Sequence, residues 1–145
     1  MEALIIACGA LDRGDDAAGL LAAQRLRELG VDVRVHSRDG LALMESWQGW
    51  ETVVLIDAVV GGRAPGSVTI WNATEAPVME DVFRSSTHTF GVAEAVKLAR
   101  ALDRMPSRMW ICGIEGRRFD LGSAPCAEVA RAAEKLALRL AGEIW

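Results

Sequence analysis

Apolar positions along this chain repeat with two periods, and the switches between them mark out its elements. Ala3 to Ala7 is a short run, apolar on both faces and ended by glycine, which predicts a buried strand. From Asp15 to Leu29 the apolar residues Ala18, Leu21, Ala22, Leu26 and Leu29 fall at helical spacing, with Arg25, Arg27 and Glu28 opposite and Gly30 as the stop. Val31 to Val35 alternates valine with Asp and Arg, the pattern of a strand with one exposed face. An Asp39-Gly40 turn leads to a short helix over Leu41 to Trp47. Thr52 to Asp57 is the most strand-like run in the chain and ends in an acid. After a loop rich in glycine, Ser67 to Trp71 reads as another strand. Asn72 to Thr87 is irregular, with a short helix near Val78 to Phe83. Val92, Ala95, Val96, Ala99 and Leu102 mark a helix for which Thr87 is a candidate N-cap. Met109 to Ile114 is a strand, and Val129, Ala132, Ala133, Leu136 and Leu140 mark the last helix.

Alternation of strands and helices predicts an α/β fold: a three-layer, doubly wound sheet of about five strands, with helices on both faces. One connection breaks the rule. The roughly nine residues between Asp57 and Ser67 contain three glycines and a proline, too few to hold a crossover helix. The strand from Ser67 is therefore expected to be antiparallel and at the sheet edge, in a sheet otherwise mostly parallel. The helix before Met109 must then begin at the carboxyl edge, which brings His88 to the same rim as Asp16 and Asp57. Repeats, low-complexity tracts and linkers are absent, so residues 1–145 read as a single domain.

Composition narrows the function classes. Of the 145 residues 51% are hydrophobic and 25% charged, enough to build a core. A net charge of -4 argues against a general nucleic-acid binder, which presents a basic face. No apolar run approaches the roughly 20 residues of a membrane span, and the start of the chain has no signal-peptide pattern. Cys8, Cys112 and Cys126 are scattered and odd in number, without a CxxC pair, so each reads as a small buried residue in a reducing cytoplasm.

The stretch Cys8-Gly9-Ala10-Leu11-Asp12-Arg13-Gly14-Asp15-Asp16-Ala17-Ala18-Gly19 occupies the place of a phosphate loop in many α/β proteins. Its glycine spacing is that of a P-loop. Asp15-Asp16, however, replace the Lys-Ser/Thr pair, and would repel phosphate. An acidic turn there suits a cation, or a ligand that carries one. Ligands of open α/β sheets sit at the carboxyl ends of strands, where Asp16, Asp57 and His88 are expected to meet. Two carboxylates and an imidazole suit a borderline divalent metal and leave positions open for substrate. Taken singly, Asp15 and Asp16 also read as acids of a first helical turn, Asp57 as a turn residue and His88 as a cap or surface histidine. Other chemistries lack their signatures: no GxGxxG, no GxSxG elbow and no Asp-Thr/Ser-Gly turn is present, and Ser85 and Ser86 are neighbours of His88 only in sequence.

Four stretches together resemble the hydrogenase maturation endopeptidases, in family order. Gly9 to Gly19 resembles the family's G-N-x-L-x-x-D-D/E-x-x-G. Val54-Leu55-Ile56-Asp57-Ala58-Val59 resembles its strand closed by D-A. Ser86-Thr87-His88-Thr89-Phe90-Gly91 resembles its S-x-H-x-x-G. Ile114-Glu115-Gly116, followed by Phe119-Asp120, resembles its G-I-E-G segment. The resemblance implies a five-stranded doubly wound sheet with one antiparallel strand. It implies an endopeptidase that removes the C-terminal extension of a [NiFe] hydrogenase large-subunit precursor once nickel is inserted. Asp16, Asp57 and His88 would be its catalytic, metal-contacting residues, and the nickel would come with the substrate; no small-molecule cofactor is implied. Nickel would either polarise the carbonyl or activate water, or serve only for positioning while a carboxylate acts as base. Two positions depart from the family: Ala10 stands for the usual Asn, and Leu41-Ala42 follow Asp39-Gly40 where D-G-G-T is usual. The alternatives are a non-catalytic module that holds a hydrogenase assembly intermediate, or a metal-dependent hydrolase of small substrates.

Overall fold

A computed structural model describes residues 2–36, 39–75 and 90–143, and among these described residues ten segments form regular elements. In chain order they are β1 (Leu4–Cys8), a 3-10 turn (Gly14–Ala17), α1 (Ala18–Glu28), β2 (Arg34–His36), α2 (Gly40–Ser46), β3 (Thr52–Val59), β4 (Val68–Asn72), α3 (Phe90–Ala101), β5 (Arg108–Glu115) and α4 (Ala127–Ala141). The sheet has five strands in the order β2-β1-β3-β5-β4. β1, β2, β3 and β5 are parallel; β4 pairs antiparallel with β5 and forms an edge. The short loop after β3 thus turns the chain back, as its length requires.

Strand alternation sorts the core into two layers. Leu4, Ile6, Val53, Leu55, Met109 and Ile111 face α2 and α3, where Leu43, Met44, Trp47, Val92 and Val96 meet them. Ile5, Ala7, Val54, Ile56, Cys112 and Ile114 face α1 and α4. β3 is the centre strand and all eight of its residues are buried, including Asp57. Each fully buried Leu or Ile on it contributes about 2 kcal/mol. Trp47 is buried in the first layer, and its indole N–H donates to the Arg104 carbonyl at 3.2 Å, so the ring's one polar atom is satisfied.

Several expected bounds move. β2 covers only Arg34–His36, because Val31 and Asp32 close the turn after α1: the Val31 amide donates to the Leu26 carbonyl at 2.9 Å. β3 does not close at Asp57 but runs two residues further, since Ala58 and Val59 still pair with Ile114 and Glu115. Asp15 and Asp16 do not occupy the first turn of α1; they lie in the separate 3-10 turn before it. The helix expected near Val78 to Phe83, the cap Thr87 and His88 lie outside the described residues. Among the described residues no helix is long and apolar enough to cross a membrane.

Candidate active site

Asp15, Asp16, Asp57 and Glu115 are the buried acids among the described residues, and all four lie at the carboxyl ends of β1, β3 and β5. No Lys or Arg is buried among those residues. Removing a carboxylate from water costs several kcal/mol unless donors or a cation compensate it, so each of the four needs a physical account.

Asp15 has a complete one. Its Oδ2 accepts the backbone N–H of Arg117 at 2.7 Å and of Arg118 at 3.0 Å, and its Oδ1 accepts that of Cys126 at 2.7 Å. The Cys126 thiol adds a contact to Oδ2 at 3.6 Å. Burial pushes this carboxyl up, but the amides of Arg117, Cys126 and Arg118 together with the thiol outweigh it and hold Asp15 below its usual range. Its charge is therefore kept by a distant loop rather than by a place in the first turn of a helix.

Asp16 is held through its backbone. Its amide donates to the Arg13 carbonyl at 3.0 Å, and its carbonyl accepts the Ala10 N–H at 3.3 Å. The departure at Ala10 leaves that backbone bond in place. The turn that carries Asp16 packs on β3. That approach depends on Gly19, where a Cβ would land on the carbonyl oxygens of Cys8 and Ile56. On β3, Asp57 shares a face with Leu55 and Val59, the face covered by α2 and α3. Its Oδ1 accepts the N–H of Ala58 at 2.8 Å. Glu115, last residue of β5, pairs with Val59, and its two oxygens take the Gly61 N–H at 3.0 and 2.9 Å, which fastens the loop after β3.

Neither Cys112 nor Cys126 is suited to nucleophilic attack. Burial pushes the Cys112 thiol up to about 12, and burial with the Asp15 and Glu128 charges pushes Cys126 up. The thiols are free, but Cys126 is only half-buried and serves Asp15, unlike the plain core residue the sequence suggested. Among the described residues no group of three His, Cys, Asp or Glu side chains is arranged to hold a metal ion.

A family model for hydrogenase maturation proteases matches residues 38–142. The chain belongs to the hydrogenase maturation protease family. It is similar to the [NiFe] hydrogenase maturation protease HybD from Thermococcus kodakarensis, with 31% identity over 97% of this chain and 99% of that one and a TM-score of 0.72. The hydrogenase expression/formation protein HoxM of Azotobacter vinelandii is 27% identical, over 97% of this chain and 70% of that protein. The hydrogenase maturating endopeptidase HybD from E. coli, at 21% identity and a TM-score of 0.71, shares the fold over 98% of this chain and 94% of its own. As a hydrogenase maturation protease the chain is a peptide-bond hydrolase. The segment matched by the family model includes Asp57 and His88, whereas Asp16 precedes it and falls within the structural likeness.

For this protease the structure brings Asp16 and Asp57 to one edge of the sheet; His88 lies outside the described residues. Sequence reasoning passed over Asp15 and Glu115 as groups with defined partners. A signal existed for Glu115, an acid directly after the apolar run Met109 to Ile114. For Asp15 there was none, because its donors lie 102 to 111 positions further along the chain.

Proposed function

We propose that this chain removes the C-terminal extension of a [NiFe] hydrogenase large-subunit precursor, and that it reads the nickel already bound in that precursor through Asp16, Asp57 and His88. The observation that carries this reading is the gathering of four buried acids, without a buried basic side chain among the described residues, on the edge of the sheet where α/β proteins bind ligands. Asp15 and Glu115 are satisfied by amides of neighbouring loops and act in the framework. Asp16 and Asp57 are the pair assigned to the cation. The face of β3 that carries Asp57 is covered by α3, which begins at Phe90, two positions after His88. α3 leads into the parallel strand β5, so its first residues start from the carboxyl edge.

Nickel enters as part of the substrate, and the acids and the imidazole hold the precursor so that the scissile amide lies beside them. Water then adds to the amide carbon, the C–N bond breaks, and the new amine takes a proton. A carboxylate of the pair serves as the base if nickel only positions the substrate; the metal supplies Lewis acidity if it contacts the carbonyl. We assign the reaction to the cytoplasm, consistent with three cysteines that form no disulfide, and to one domain spanning residues 1–145.

The test incubates Asp16→Asn, Asp57→Asn and His88→Ala with nickel-loaded precursor and follows its shortening by mass spectrometry. Each variant is expected to lose at least about 100-fold in rate. Normal shortening by all three would remove this assignment.

A further inference from the structure

Asp15 is drawn into the protein by a loop more than a hundred residues away, and the two are tied at several points. Besides the three amides and the thiol on its carboxylate, the Asp15 N–H donates to the Arg118 carbonyl at 2.7 Å. The Gly14 N–H donates to the Ser123 carbonyl at 2.9 Å, and the Gly122 N–H to the Asp12 carbonyl at 2.6 Å. The fit is close on both sides. Gly14 has φ +56, and a Cβ there would meet the Arg118 carbonyl and the Ser123 hydroxyl. A Cβ at Gly116 would meet the Cβ of Asp15 and the Phe119 ring. The 3-10 turn has no capping side chain of its own at Arg13, so its seat is set by these bonds to the loop of residues 116–126.

We infer that Asp15 is the positioning residue of the protease: its carboxylate clamps the turn to the β5–α4 loop and thereby fixes where Asp16 meets the substrate. This inference rests on the role of Asp16 proposed above. The physical reason is that Asp15 and Asp16 are consecutive, so a shift of one carries the other, and a misplacement of about 1 Å at a reacting group lowers a rate by roughly 100-fold. Both oxygens of the Asp15 carboxylate are held by amides of the loop, so it acts through the turn it anchors. A carboxylate is required rather than an amide. Oδ2 faces two N–H donors and Oδ1 a third, so an asparagine would set its own NH2 against at least one of them.

The experiment compares Asp15→Asn, Cys126→Pro and Asp16→Asn with wild type on the nickel-loaded precursor, at a temperature where circular dichroism shows each variant folded. Cys126→Pro removes both the amide and the thiol of Cys126 from Asp15 without changing Asp15 itself, and Cys126 has φ -72, which proline accepts. Asp15→Asn is expected to lower kcat by roughly 100-fold with KM unchanged, and Cys126→Pro to lower it in the same way but less. A residue that only stabilised the fold would lower the melting temperature and leave kcat of the folded enzyme alone. Wild-type kcat in both folded variants, alongside an inactive Asp16→Asn, would overturn the clamp and leave the role of Asp16 standing. Wild-type kcat in Asp16→Asn would overturn the role of Asp16 itself. If Asp15→Asn does not fold, Cys126→Pro decides, since the loss of one amide bond to a carboxylate, about 1.5 to 3 kcal/mol, is smaller than the loss of the whole carboxylate.

Discussion

Asp15 and Asp16 are identical in chemistry and adjacent in sequence, yet their surroundings differ. Asp15 is enclosed by three amides and a thiol; Asp16 sits in a turn whose backbone is pinned on both sides. A testable consequence follows from the lowered pKa of Asp15. In the unfolded chain this carboxyl titrates near 3.9. Its contribution to stability is therefore complete above that value and is lost as pH falls through the lower native one. In urea denaturation, wild type is expected to exceed Asp15→Asn by a constant margin above about pH 5, and by a shrinking one below about pH 4. A margin that held at pH 3 would contradict this account of Asp15. The adjacency of two acids was plain in the sequence, but the seat of Asp15 was not, because the amides that hold its carboxylate belong to the loop that begins at Gly116.

At the scale of elements, the pattern of residues along the chain placed the described strands and α-helices, but neither their ends nor the separate 3-10 turn before α1. Ends depend on partners. β3 continues past Asp57 because β5 continues beside it to Glu115. β2 shrinks to three residues because the chain leaving α1 spends Val31 and Asp32 on the turn. The junction of α1 with the sheet shows how a partner sets a residue. Gly19 closes the acidic motif in the sequence, and its need is seen only in three dimensions: α1 lies so near β1 and β3 there that a methyl group would press on two backbone carbonyls. Backbone atoms cannot rotate aside, so Gly19→Ala is expected to cost about 2 to 3 kcal/mol and lower the melting temperature by about 5 to 10 °C. Scanning calorimetry measures this directly; an unchanged melting temperature would mean that the helix can lift from the sheet without loss.

For the whole molecule, the doubly wound topology sends the loops after β1, β3 and β5 to one edge, and that edge collects the buried acids. In the function proposed above, the metal arrives with the substrate. Nickel(II) titrated calorimetrically into the isolated protein is accordingly expected to bind weakly, with firm association only to nickel-loaded precursor. Tight binding of nickel by the protein alone would favour a resident metal instead. The sequence by itself determined the class of fold, the antiparallel edge strand and the acidic turn, because these follow from period, loop length and residue type within short stretches. The tertiary structure alone decided which amides hold Asp15 and Glu115, how far each strand extends and why the glycines at 14, 19 and 116 are needed. Those are questions of which backbone atoms approach each other across a hundred residues, and local pattern carries no information about that distance.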